Sequence, residues 1–518
     1  MGIFLRTALK AALISALVFA GCASDNSSDS DIDSLTGVSI SGNEKVLIGQ
    51  SATLTAAPKK TGKPEISYSW SLSSDVCASL SAPTGESVEL SVRDSASEGD
   101  SVKVTVTATW GTVSVKGEKT VTFSTAPKLS LTDKPVGYAS ITPQTGTGAT
   151  VTTKTELVNA LKNGGLIYVS GTIDVSEGCL PSEAGGTTPQ LDAFVAANSD
   201  FSTYTAFKTA YAGACSSSTN DKSSGSPEST YGSVMWTLNK AYGNKIKLSP
   251  ISNTTIIGLD GAVIKGGTFQ ISGVSNVTIR NLTIQDAYDP FPHHEENDGF
   301  NAQWDGICLD GASNIWIDHC TIEDTMKYSK VAISGDAEEK WQTYDGLCDM
   351  KGSSKNIVVS YCIFKNHDKT MLIGSGSGDT SGGYITIHHN KFLNCGQRLP
   401  MTTYPNMHIY NNSYERDSDA YYSQQASIAA RYGAYTIIAE NNYFGSGVKY
   451  CISQSTSPSG KCYESGNVFT SRSEGSKALS TQDTKPFTPS YEYELDEASD
   501  VPTIIEEKAG AGCSVSGI

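Results

Sequence analysis

Two acidic tetrads, Asp305-Gly306-Ile307-Cys308 and Asp345-Gly346-Leu347-Cys348, are followed by a further carboxylate at Asp349. If folding lays one tetrad beside the other, Asp305 and Asp345 stand ~5 Å apart and repel by about 3 kcal/mol at an effective dielectric of about 20. Keeping both ionised then calls for a cation. Without such stacking, the same acids would simply face water on turns. Ligands that are all oxygen, with no thiolate or paired imidazole, suit a hard divalent ion. The seven histidines lie between positions 293 and 408 and include neither HExxH nor a His/Cys zinc spacing. Gly374-Ser-Gly-Ser-Gly378 lacks the strand-to-helix context of a nucleotide loop, and no Ser/His/Asp set can be ordered into a triad. A glycosidase using Asp305 and Asp345 as paired carboxylates is a second reading of the same residues.

The elements that must bring the tetrads together are legible as a repeat. Asn276-Val-Thr-Ile-Arg-Asn-Leu-Thr-Ile284 aligns with Asn314-Ile-Trp-Ile-Asp-His-Cys-Thr-Ile322 and with the segments beginning at Asn356, Tyr384 and Asn406. One column reads Ile279, Ile317, Val359, Ile387, Ile409, and another Ile284, Ile322, Phe364, Phe392, Tyr414. A third ends in Asn390, Asn412 and Asn442. Copies start 38, 42, 28 and 22 residues apart, so the shortest spacing is a bare coil and the excess is inserted loop. Same-register columns with variable insertions describe an all-β solenoid, a parallel β-helix, with like residues stacked ~4.8 Å apart. Buried asparagines can pass amide hydrogen bonds from coil to coil. His319, His388, His389 and His408 fall in these columns and are expected to be structural, whereas the 293–298 loop reads as a solvated turn or a cleft wall.

The remaining chain has a different character. Arg6 and Lys10, an apolar run over 11–20, and Phe19-Ala20-Gly21-Cys22 predict a bacterial lipoprotein signal with Cys22 as the lipidated residue, or else a plain secretory signal. Export to the outer membrane or cell surface follows, with membrane association through the lipid alone, and Ca²⁺ becomes the natural hard ion. Residues 23–35 read as a flexible linker. Alternating short runs over 36–125, with Trp70 among them, suit a small immunoglobulin-like β-sandwich acting as a spacer or adhesive module. The solenoid is expected over 127–518, with a partly helical insertion at about 185–245. Setting Cys22 aside from twelve cysteines leaves an odd number, with Cys451–Cys462 and Cys179–Cys215 the best candidate disulfides and Cys77 a buried apolar residue. With 38 basic against 54 acidic residues, the net charge of −16 argues against a nucleic-acid partner and requires local cations for any anionic ligand. A monomer is expected.

Asp305, the Ile315-Trp-Ile-Asp-His319 run, Tyr344-Asp-Gly-Leu-Cys-Asp349, Asp368-Lys-Thr-Met-Leu-Ile-Gly374, Gln397-Arg-Leu-Pro400 and Met407-His-Ile-Tyr-Asn-Asn412 occur in this order. Together they resemble pectate lyases of polysaccharide lyase family 1 over about residues 135–470. The resemblance implies a right-handed parallel β-helix that cleaves polygalacturonate by β-elimination with Ca²⁺. It implies that Asp305, Asp345 and Asp349 bind the ion, that Lys369 binds the substrate carboxylate, and that Arg398 is the catalytic base. A guanidinium holds its proton in water, but neighbouring positive charge disfavours it, so alkaline activity is expected. Gln303 stands where some members carry another Asp. Thr403 stands where many members of the family carry a second arginine, and Met401 where some carry one; Arg416 or Arg431 could compensate. A pectin lyase acting on methyl esters and a non-catalytic adhesin are the competing readings.

Overall fold

The computed structural model describes residues 33–216 and 229–516, apart from 297, 336, 419, 422–425, 434 and 457–458. Cys22 and its leader lie outside the described residues. The chain divides into two units between Thr125 and Ala126.

In the N-terminal unit, two four-stranded sheets enclose a core built from Leu54, Trp70, Leu90, Val104, Val106 and Phe123. Strict alternation produces it: in Ser101–Trp110, Val102, Val104, Val106 and Ala108 point inward between polar neighbours. The buried Trp70 satisfies its indole by donating to Gly85 O at 2.9 Å. Cys77, expected to be buried, is half-buried at the edge of this core.

The C-terminal unit is a parallel β-helix. Its two walls are a seventeen-stranded sheet, to which most coils give two strands, and an eight-stranded sheet, to which each coil gives one. The register stacks Ile279, Ile317, Val359, Ile387 and Ile409 on successive coils, all fully buried. Phe364, Phe392, Tyr414, Phe444 and Phe469 form a second column, with ring centroids 4.6–5.1 Å apart and nearly parallel planes. Parallel strands one coil apart hold identical side chains at near van der Waals separation, so each coil buries the next.

At the bend between the two strands of a coil, Asn390 Nδ2 donates to Asn412 Oδ1 (2.9 Å), Asn412 to Asn442 (3.0 Å) and Asn442 to Asn467 (3.0 Å). Asn467 extends the ladder one coil beyond the sequence column. The residue before each ladder position is left-handed: Asn281, His319, Tyr361, His389, Asn411 and Asn441 have φ of 48–57°. Asparagine and histidine tolerate that region better than most side chains. His319, Tyr361 and His389 stack on one another at 4.9 and 4.7 Å.

Three helices, Pro189–Asn198, Tyr204–Ala214 and Ser229–Ile246, interrupt the repeat. Thr188 and Thr203 cap the first two by accepting from Leu191 N and Ala206 N. Phe194, Tyr204, Phe207 and Tyr242 from the helices surround Phe291, and Tyr211 packs against Phe300. The insertion thereby braces the 291–303 segment beside the eight-stranded sheet.

Neither expected disulfide forms: Cys179, Cys215, Cys451 and Cys462 are all buried thiols. Cys451 lies in Tyr450–Gln454 of the eight-stranded sheet and Cys462 in Lys461–Ser465 of the other wall, each packed into the core. Proximity in sequence does not supply the convergent Cβ vectors a disulfide needs. Of the two readings of the 293–298 loop, the solvated turn does not hold for its two histidines. His293–Glu295 pairs with Gly299–Asn301, and His293 and His294 are buried, bonded to Glu295 and Glu339.

Candidate functional site

The strands Ile307–Asp310, Cys348–Lys351, Leu372–Ile373, Met401–Thr402, Ala426–Ala430 and Tyr450–Gln454 run side by side in the eight-stranded sheet. Ile307, Leu309, Cys348, Met350, Met371 and Ile373 fill its inner face. The alternating positions, Cys308, Asp349, Leu372 and Met401, occupy the outer one. Asp305, Asp345, Lys369 and Arg398 come from the segments that lead into four successive strands. One end of the sheet therefore carries all five residues expected to act.

The two tetrads are offset from their sequence alignment. Ile307 pairs with Cys348 and Cys308 with Asp349, one residue out of the step that would match Asp305 to Asp345. Asp305 consequently reaches over Gly346, whose amide donates to Asp305 Oδ1 at 2.9 Å. Asp349 Oδ1 accepts from Leu372 N at 2.9 Å. Both carboxylates converge on the space where Gly346 has no side chain. A Cβ there would lie 2.4 Å from Asp349 Oδ1 and 2.8 Å from Asp305 Oδ1.

The electrostatics differ sharply among the three acids. Asp305 is 3% exposed and Asp349 7%. Burial, then the neighbouring Asp345, pushes Asp305 up to about 6. Burial followed by repulsion from Asp305 and Asp345 drives Asp349 well above the usual carboxylate range. Asp345 is the opposite case: burial opposes its charge, yet Lys369 and the Arg398 guanidinium hold its carboxyl low. Lys369 Nζ lies 2.8 Å from Asp345 Oδ1 and donates to Asn301 Oδ1 at 2.6 Å. Arg398 is left-handed at φ 62° and its buried Nε has no hydrogen-bond partner.

The three aspartates are thus neighbours but not a preassembled triad. Among the described residues no three His, Cys, Asp or Glu groups stand together in an arrangement ready to hold a metal. The reason is local, since Lys369 draws Asp345 toward itself. The donor set still fits a hard divalent ion. Asp305 and Asp349 supply oxygens that share a glycine-floored recess, and their mutual repulsion is what a cation would relieve.

Gln303 is engaged elsewhere, with Nε2 on His293 Nδ1 at 2.7 Å and its backbone N–H on Asp289. Thr403 is buried, its hydroxyl without a partner. Arg431 follows Ala430, the register partner of Thr402, but its guanidinium is bonded to the Tyr432 hydroxyl and lies over that ring. Arg416 follows Ser413–Glu415 in the other wall.

Several contributors had no sequence signal. Asn301 and Gly346 act through contacts 68 and 41 residues distant. Asp289 is buried, accepting from Asn239, Phe291 N and Gln303 N, and burial pushes it to about 7. His367 donates between Asp324 and the carbonyl of Asp345, at 2.5 and 2.9 Å, and so fixes the backbone that carries the site. Asp324 and His367 could have been found only as polar residues flanking coils.

Comparison with known proteins agrees with this geometry. Residues 132–514 match the family model for pectate lyase. The chain is 34% identical over 273 residues to a pectate lyase of Bacillus subtilis, covering 50% of this chain and 64% of that protein. It is 31% identical to a pectate trisaccharide-lyase of Bacillus licheniformis over 56% of this chain and 76% of the relative. A solved structure of a mutant Bacillus subtilis pectate lyase superposes with a TM-score of 0.58 at 27% identity, covering 74% of this chain and 95% of that one. The match to the first of these relatives spans less than two thirds of its length.

Proposed function

The chain belongs to the pectate lyase family, with the right-handed parallel β-helix of its relatives, and on that premise we propose that it is a calcium-dependent lyase of α-1,4-polygalacturonate. The observation that carries the proposal is the convergence of Asp305, Asp349, Asp345, Lys369 and Arg398 at one end of one sheet. Cleavage is a β-elimination. Arg398, in the neutral guanidine form that alkaline pH and the neighbouring Lys369 ammonium favour, takes the proton from C5 of the uronate, a double bond forms between C4 and C5, and the glycosidic oxygen leaves C4 with the bonding electrons, to be protonated by water.

Asp305 and Asp349 would hold Ca²⁺, with Asp345 completing the set. When bound, the ion supplies positive charge beside the uronate carboxylate, where the enolate-like charge of the reaction accumulates. Lys369 presents an ammonium to the same carboxylate, kept in place by Asn301. Arg398 is held at the site by its fixed left-handed backbone, where its neutral guanidine would be the proton acceptor. Upstream, the N-terminal sandwich would serve as a spacer and Cys22 as the lipid tether to the outer membrane or cell surface.

Incubation with polygalacturonate tests the reading: ultraviolet-absorbing unsaturated oligomers are expected with Ca²⁺ and none with excess chelator. New reducing ends without that absorbance would identify a hydrolase instead, and overturn the proposal.

Cation binding should also be visible in stability. The folded Asp305 carboxyl sits at about 6, against ~3.9 in an unfolded chain. Between those values the folded state holds the extra proton, so stability without a cation falls as pH rises through 6. Ca²⁺ is therefore expected to raise Tm clearly at pH 8 and hardly at pH 4.5. Equal shifts at both would contradict the assignment of Asp305 and Asp349 as its ligands.

A further inference from the structure

The Ile315-Trp-Ile-Asp-His319 run has no part in the reaction and lies in the other wall, the seventeen-stranded sheet. Arg280, Asp318, Ser360, His388 and Tyr410 are register partners on five successive coils and alternate with the apolar column that fills the core. All five are nevertheless buried. Both ends of this unit pack over the column, where Lys128–Ser130 pairs with Ser514–Ser516 and Ser130 O accepts from Arg280 at 3.0 Å. A cavity of about 310 Å³ remains between the chain ends and the column.

His388 lines that cavity, is 4% exposed, and has no hydrogen-bond partner for its Nε2. Its Nδ1 lies 2.8 Å from His389 Nδ1, and His389 Nε2 lies 2.8 Å from Asp496 Oδ2. Burial disfavours a second proton on either ring. Since a carboxylate accepts, His389 donates through Nε2 and His388 through Nδ1, which leaves a bare lone pair on His388 Nε2. Its column neighbours do not serve it. Ser360 Oγ already donates to Asp318 Oδ1 at 2.7 Å, and Tyr410 stacks ring on ring at 5.0 Å. A buried acceptor without a donor is destabilising, and a hydroxyl in the cavity would satisfy it.

The mouth has the complementary character. Lys128, Lys134 and Lys508 line it with exposed side chains, and among the described residues none of the three is ion-paired. The two acids in the wall are already neutralised, because Arg280 meets Asp318 at 2.8 Å and Asp133 at 3.1 Å. In a chain of net charge −16, three unpaired ammonium groups make a local positive field. That field disfavours a metal ion, and a phosphate or sulfate would fill only a fraction of the space. Pro127, Leu129, Val136 and Trp316 give the remaining wall an apolar surface.

We propose that this cavity is a second ligand site, for a small hydroxylated monocarboxylate of one-sugar size. Its carboxylate meets the lysines and one hydroxyl donates to His388 Nε2. The site shares no residue with Asp305, Asp345, Asp349, Lys369 and Arg398, and it stands whether or not the chain cleaves polygalacturonate.

Calorimetric titration of the full chain with D-galacturonate, D-galactose and acetate, each in excess chelator, provides the test. D-Galacturonate carries both groups, and a Kd of about 1 mM or tighter is expected for a ligand of that size. D-Galactose lacks the carboxylate and acetate the hydroxyl, so each should bind at least about tenfold more weakly. Lys128→Met, Lys134→Met and Lys508→Met together should weaken D-galacturonate about tenfold, and arginine at all three positions should restore it. Those side chains are exposed, so the fold is not at stake. His388→Phe keeps a ring against Tyr410 and removes the acceptor, with a similar loss expected. D-Galacturonate binding that survives the lysine replacements or His388→Phe, acetate or D-galactose binding as tightly, or no binding at all would each overturn the site.

Discussion

Replacing Arg398 with lysine should lower kcat on polygalacturonate by about a thousandfold or more while KM changes little, because the substitution keeps a positive charge near the uronate and removes the group that takes the C5 proton. The position is held by its backbone. Arg398 O accepts from Met371 N at 2.8 Å and Leu399 N donates to Ser427 O at 3.1 Å, so the segment is bonded to the coils on both sides. A shorter ammonium on that fixed Cα cannot reproduce the reach of the guanidinium. The left-handed φ of 62° also sets a control. Glycine adopts that region freely and any other side chain is strained there, so Arg398→Gly should fold at least as stably as the parent and still be inactive. Retained turnover in both variants would remove Arg398 from the reaction, and a KM effect alone would make it a substrate clamp.

Gly346→Ala should weaken Ca²⁺ binding by about a hundredfold, with activity returning only at high calcium concentration. Gly346 has an ordinary backbone conformation, so the methyl group causes no strain of its own. Its cost lies in the recess, where it would press on Asp349 Oδ1 at 2.4 Å and Asp305 Oδ1 at 2.8 Å. One carboxylate must swing away, and the amide bond from Gly346 to Asp305 is disturbed with it. Calcium titrations of thermal stability and of activity both report the change. A variant with unaltered calcium affinity would mean that the ion, if bound, does not use the space between these two acids.

Much of the solenoid could be read directly because stacking converts spatial neighbours into sequence columns. The Ile279 and Ile284 columns and the Asn390–Asn412–Asn442 series each become a row of contacts. What escaped is what depends on register and direction. Aligning the Asp-Gly-hydrophobic-Cys tetrads places Asp305 on Asp345. Pairing Ile307 with Cys348 instead puts it over Gly346. A loop of inserted residues can absorb one position without leaving a trace in either tetrad, yet that position decides which face a side chain occupies. The disulfide expectations failed for a related reason, since Cys451 and Cys462 are close in sequence but belong to different walls of one coil.

Local composition and repeat spacing determined that the C-terminal chain coils, that its apolar columns bury one another, and that Asp305, Asp345 and Asp349 are acids expected to meet, while Lys369 and Arg398 were singled out only by the resemblance of their motifs to pectate lyases. Tertiary structure alone decided that Lys369 claims Asp345, that Asn301 returns from a loop braced by the helical insertion to hold that lysine, and that the recess for a cation is shaped by the missing side chain of Gly346. Periodicity encodes which residues stack, because every coil repeats the same backbone path. Carboxylate orientation is set instead by charges and amides arriving from distant segments, and no short-range pattern carries that information.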